Sequence, residues 1–207
     1  MNTLRASALL VLLSMPLAAT AQYQSGRSAR SAGDYANLSY TLGEVRLLAE
    51  DPDGGDDADG IRVGGWALVH PDFFVLGALS TLGSDGANGV DTDTFELGFG
   101  MRYGYSSRVD FLGAAGIVRV DRDFGGRRDD DDFGPSLTGG VRAAVTPVVE
   151  VGGYLNYVEI FGDGDLALNG EGLYHLTPNF SLLAGLGVSD DTREASIGAR
   201  WNFDRTR

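Results

Sequence analysis

The chain has no cysteine and no lysine, and only six prolines and two histidines in 207 residues. Without cysteine there are no disulfides and no thiolate metal sites. Without lysine, all 16 basic residues are arginine; they face 29 acidic ones, for a net charge of −13. Such a charge repels nucleic acid. Beyond the extreme N-terminus no stretch approaches the roughly 18 continuous apolar residues of a membrane helix. A membrane could then be crossed only by strands, closed so that every backbone group is paired. The 31 glycines follow no short period, which excludes a collagen-like or low-complexity chain.

The N-terminus has its own pattern. Met1 to Arg5 carries one positive charge, Ala6 to Ala18 is almost wholly apolar, and Ala19-Thr20-Ala21 is a small-x-small cleavage site. Residues 1–21 thus read as a secretory signal peptide, too short and too cleavable for an anchor. Residues 22–35, rich in Ser, Arg and Gly, read as a flexible periplasmic lead-in. Residues 36–203 form the body, and 204–207 a short tail.

The body alternates. Phe95, Leu97, Phe99, Met101, Tyr103 and Tyr105 share one face, and Thr94, Glu96, Gly98, Gly100, Arg102 and Gly104 the other. A helix does not produce a period of two over twelve residues. The pattern also repeats. Pro71, Ser107, Pro147 and Pro178 each mark a tight turn, followed at +2, +4, +6 and +8 by an apolar or small face, such as Phe73, Val75, Gly77 and Leu79. The repeat unit is a hairpin. Ten strands are expected, near 36–50, 59–70, 73–83, 93–105, 108–121, 133–145, 148–160, 165–176, 179–189 and 193–203, with eight as the alternative. Four tight turns then lie at one end and five longer polar connections at the other. In the first strand, the apolar face shifts from Leu38, Tyr40 and Leu42 to Val45 and Leu47, which suggests a bulge at Gly43. The fifth loses clean alternation near Val118.

Alternation does not say which face is outside. A soluble barrel would turn the apolar face in. Aromatics gather near the turn end of that face, namely Phe73, Tyr103, Tyr105, Tyr174, Phe180, Trp201 and Phe203, as in an interfacial girdle. The last strand reads Ser196-Ile197-Gly198-Ala199-Arg200-Trp201-Asn202-Phe203. Its Ser196, Gly198, Trp201 and Phe203 resemble the C-terminal assembly signal of outer-membrane barrels; the tail after Phe203 departs from members that stop at the aromatic residue. The region from Leu38 to Phe203 resembles the small OmpA/OmpX-type barrel superfamily, and the turns His70-Pro71-Asp72-Phe73 and Thr177-Pro178-Asn179-Phe180 resemble the small barrels of xanthomonads. The resemblance implies an all-β, up-and-down antiparallel transmembrane barrel in the outer membrane. It also implies the barrel-assembly machinery, outer-membrane lipid and lipopolysaccharide as partners. A monomer is expected.

No catalytic set is legible. His70 and His175 sit beside tight turns, away from the external end where the Asp/His sites of omptin-type barrel proteases lie. A nucleophile needs a base and an orienting third group, and none is evident. Enzyme activity and cofactors are therefore not expected. The acidic stretch Asp51 to Gly60 fails EF-hand spacing, with Gly55 and Asp56 at the fifth and sixth positions. Asp129, Asp130, Asp131 and Asp132 are weak candidates for a divalent ion and read first as solvated loop charge.

The polar face carries charges of both signs. Arg102 and Asp110 are equidistant from Ser106, and Arg142 and Glu150 from Thr146. If the hairpins are symmetric about those residues, each pair is directly opposed in the lumen. Trp66 and Phe74 hold the equivalent slots of the first hairpin, and Glu171 and Arg200 are further partners. Two functions follow: a filled barrel acting in envelope integrity or surface contact, or a small passive pore.

Overall fold

The computed structural model describes residues 38–53, 56–84, 90–124 and 130–203. The expected signal peptide, lead-in, C-terminal tail and Asp129 lie outside the described residues. Within them every element is a strand: β1 (Leu42–Pro52), β2 (Ala58–His70), β3 (Phe73–Ser84), β4 (Asp91–Gly104), β5 (Val109–Asp123), β6 (Asp130–Ala144), β7 (Val149–Ile160), β8 (Asp163–His175), β9 (Phe180–Val188) and β10 (Thr192–Asn202). Each pairs antiparallel with its sequence neighbours, and β1 pairs with β10 to close a ten-stranded barrel. Eight strands are ruled out. Closure leaves no edge, which is what an apolar surround demands.

The period of two becomes two surfaces. Leu97, Phe99, Met101 and Tyr103 are exposed on the outside, while Phe74, Leu112, Arg142, Glu150 and Arg200 are buried within. Alternation in β5 is unbroken: Ile117 points out, and Val118 is buried inside.

Three expectations need correcting. First, the hairpins are centred one residue later than Ser106 and Thr146. Arg102 faces Leu112, and Asp110 faces Gly104; Arg142 faces Gly152, and Glu150 faces Ala144. The reason is an odd-numbered turn. Tyr105 N–H donates to Val109 O and Val145 N–H to Val149 O, leaving three-residue turns centred on Ser107 and Pro147. A shift of two in the pairing keeps each residue on its face, so the arginines remain inside but reach their acids diagonally.

Second, β1 begins at Leu42 and pairs regularly on both sides through Gly43. There is no bulge there; the irregularity lies instead between Leu68 and His70. Leu38, Tyr40 and Leu42 are buried, while Val45 and Leu47 are exposed. The shift in the apolar face therefore marks a change from inside to outside.

Third, the connections at the far end are not uniformly long. Ile160 pairs with Asp163 across a two-residue turn, where Phe161 and Gly162 have φ of 57° and 80°. That is the pattern of a type I′ hairpin. Phe161 tolerates it because its N–H donates to an Asp132 carboxylate oxygen at 2.5 Å and Arg122 lies 4.7 Å from its ring centroid. Asp130 to Asp132 thus belong to β6 and not to a loop, with Asp130 and Asp131 exposed to solvent as expected.

Candidate functional site: the lumen and its plug

At the turn end the lumen is filled. Residues 38–41 enter it ahead of β1, and Tyr40 is fully buried. Its ring lies 5.5 Å from Phe74 and 5.8 Å from Trp66, which stack on each other at 5.1 Å. The Arg102 and Arg142 guanidinium carbons stand 4.8 and 4.7 Å from the Tyr40 ring centroid, within cation–π range. Phe74 lies against Gly100, where a Cβ would come within 2.3 Å of the ring. Only glycine admits the aromatic cluster at that point.

Charges interlock with these rings. Arg142 donates to Glu150 through Nε at 2.8 Å and Nη2 at 2.5 Å, and through Nη1 to the Ser39 carbonyl at 2.7 Å. Its side chain and that of Glu150 are each only 1 % exposed. Arg142 thus ties the plug segment to the wall. Arg102 lies 3.7 Å from Asp110 and donates to the Pro71 carbonyl at 2.8 Å.

Above the plug a second network spans the lumen. Arg200 donates to Glu171 at 3.0 Å and to Glu44 at 2.9 Å, and approaches Glu150 at 3.9 Å. Arg46 bridges Glu44 and Glu171, each at 2.8 Å, and Tyr154 O–H donates to Glu171 at 2.8 Å. Arg62 pairs with Glu96 at 2.7 Å. All six charged lumen residues expected from the sequence therefore stand in ion pairs. Glu44, Arg46 and Tyr154 were not foreseen. Their signal was present: Glu44 and Arg46 flank Val45 on the polar parity of the first strand.

The structure also assembles a trio that the sequence did not reveal. His175 Nδ1 hydrogen-bonds Ser181 Oγ at 2.6 Å, and its Nε2 lies 3.6 Å from Glu150. Serine, histidine and carboxylate are a hydrolase's set, but Ser181 is 0 % exposed. No substrate carbonyl reaches it, and Glu150 is already engaged by Arg142. What the trio can do is fix the turn ends of β8 and β9 to Glu150 of β7, which Arg142 links to the plug. His70, by contrast, is exposed, and its Nδ1 accepts from Asp72 N–H at 3.4 Å.

The acidic candidates do not converge on an ion. Asp131 lies 3.4 Å from Arg119, and Asp132 accepts from Phe161. Among the described residues no group of three His, Cys, Asp or Glu is placed to hold a metal. Of the terminal pattern, Ser196 is buried inside, while Trp201 and Phe203 are exposed outside. Phe203 N–H donates to Thr41 O across the seam.

A closed antiparallel barrel, apolar outside and ionic within, defines an integral membrane protein of the strand-crossing kind. The family model described as outer membrane protein beta-barrel domain matches residues 6–203, and the chain belongs to that family, which places it in the outer membrane. No curated protein matches the chain. Among solved structures, it is similar to an outer membrane channel from Pseudomonas putida F1, at 12 % identity over 83 % of this chain and 99 % of that one, TM-score 0.46. It is also similar to Ail, the attachment invasion locus protein of Yersinia pestis, at 10 % identity over 78 % and 95 %, TM-score 0.41. Neisserial surface protein A follows at 16 % identity over 78 % and 95 %, TM-score 0.39. Likenesses this distant carry no inference about role.

Proposed function

We propose that the protein is a non-enzymatic, non-conducting outer-membrane barrel that serves envelope integrity or surface contact. The observation that carries this reading is the plug: Tyr40 at 0 % exposure, boxed by two aromatics and two arginines, with Arg142 and Glu150 beside it at 1 %. Ten strands enclose a lumen near the size that side chains can fill, and at this end they fill it.

In this reading residues 1–21 are removed after Ala21, and the tight turns face the periplasm. Lipid and lipopolysaccharide surround the barrel, the assembly machinery inserts it, and it works as a monomer without a cofactor. The test is conductance of the purified, folded protein in planar bilayers. Silence is expected. Regular single-channel steps would favour a small passive pore, the reading that draws on the open loop half of the lumen, where cavities of about 880 and 850 Å³ lie.

A further inference from the structure

The lumen is closed in two different ways. On the side of β1, β8 and β10 stand the ion pairs of Glu44, Arg46, Arg200 and Glu171. On the side of β2 to β5 the inward positions are small. Gly64 is opposed to Ala78, and Gly98 to Gly116. Arg62 and Glu96, paired on that wall, keep 38 and 18 % of their side chains exposed, against 3 % for Arg200 and for Glu171. Both share the inward parity of Gly64 and Gly98, so solvent reaches down this side to the level of Glu96 and its cross-strand partner Ala78. Four residues further along β4 stands Gly100, against the Phe74 ring. There the path meets a buried apolar cluster of Leu38, Tyr40, Phe74, Leu112 and Ala144. Phe74, Leu112 and Ala144 belong to the wall, and Leu38 and Tyr40 to the plug.

The wall is complete without the plug. Arg142 holds Glu150 through two nitrogens, and Arg102 holds Asp110 and the Pro71 carbonyl. Withdrawal of Tyr40 therefore leaves neither arginine as a bare buried charge, the condition that makes such pairs costly to disturb. Trp66 and Phe74 keep their stack on each other. Residues 38–40 lie in no strand. Thr41, by contrast, is pinned on both flanks: its carbonyl accepts from Phe203 N–H at 2.8 Å, and its Oγ1 from Leu68 N–H at 3.3 Å. Thr41 is the pivot, and Leu38 to Tyr40 are an arm carried from it into the lumen.

We propose that this arm is autoinhibitory: the barrel is a latent conduit for small inorganic ions, shut by the side chains of Leu38 and Tyr40 and not by its ion pairs. Apolar side chains in contact exclude water, and a constriction of that kind stops ions by dewetting. An ion entering it gives up hydration and gains no partner. With the arm gone, the same passage is lined by the polar groups of Arg102, Asp110, Arg142 and Glu150, which take the place of water. The inference rests on the closed-barrel reading for the resting state. What it adds is the place of the seal and the conduction that follows its removal.

The test is conductance in planar bilayers, in potassium chloride, of wild type and three variants, each first shown to be folded by heat-modifiable mobility. Leu38→Gly combined with Tyr40→Gly removes the side chains of the arm and leaves the wall intact; regular single-channel steps are expected where wild type is silent. Tyr40→Phe keeps the ring and should stay silent. Glu44→Ala combined with Arg46→Ala removes a charge pair together, leaves Arg200 with Glu171, and should also stay silent. If the double glycine variant does not fold, Tyr40→Ala takes its place with the same expectation, and a barrel that folds with neither would overturn the inference by making the arm part of the fold. Silence of a folded arm variant beside a silent wild type would overturn the inference and leave the closed-barrel reading standing. Steps in the Glu44 and Arg46 variant as large as those of the arm variant would move the seal to the ion pairs and overturn it as well. Steps in wild type would overturn the closed-barrel reading, and the inference with it where the arm variant conducts no more than wild type.

Discussion

Arg142 is where packing and charge meet. It neutralises Glu150, holds the Ser39 carbonyl and covers the Tyr40 ring. Removing one partner of a buried pair leaves a bare charge, at a cost of about 3–5 kcal/mol. Arg142→Ala should therefore destabilise the barrel more than Arg142→Ala combined with Glu150→Ala. Denaturant unfolding in lipid vesicles measures the cycle; equal or greater loss in the double variant would show that the two do not couple. Alternation had placed Arg142 and Glu150 on one inward face. It could not place Tyr40, because a plug segment and an outer strand face share the same apolar spacing. Nor could it find the contact of His175 with Ser181, because a His beside a turn looks alike whether it faces the lumen or water.

At the scale of elements, strand number, the four tight turns and the strand limits other than the start of β1, which lies six residues later than expected, were legible in the period of two and the hairpin repeat. Pairing register was not, since it depends on whether a turn holds an even or odd number of residues, and Ser106-Ser107-Arg108 does not declare that. The two-residue turn at Phe161-Gly162 was likewise hidden, because phenylalanine rarely accepts positive φ. The last strand carries its own prediction. Trp201 and Phe203 point outward and close the terminal pattern. Phe203→Ala should lower the amount of barrel assembled in cells, read as the heat-modifiable fraction on gels. Wild-type amounts would remove the recognition role from Phe203.

For the whole molecule, the two ends differ in kind. The turn end is filled by aromatics and ion pairs, and the described residues of the loop end carry the opposed carboxylates Glu50 and Glu194. With the turns in the periplasm, epitope tags in residues 85–89 or 125–129 should be reachable by antibody on intact cells, and tags at Pro71 or Pro178 should not. The reverse pattern would invert the topology. The seal itself can be probed without background, because the chain has no cysteine. Ser39 is 1 % exposed within the plug, and Ser39→Cys adds almost no volume. In the folded, membrane-inserted barrel, that thiol should resist a water-soluble maleimide and react fully only after unfolding. Rapid labelling of the folded protein would show that water reaches the turn-end lumen, and that the barrel is not closed by its N-terminal segment.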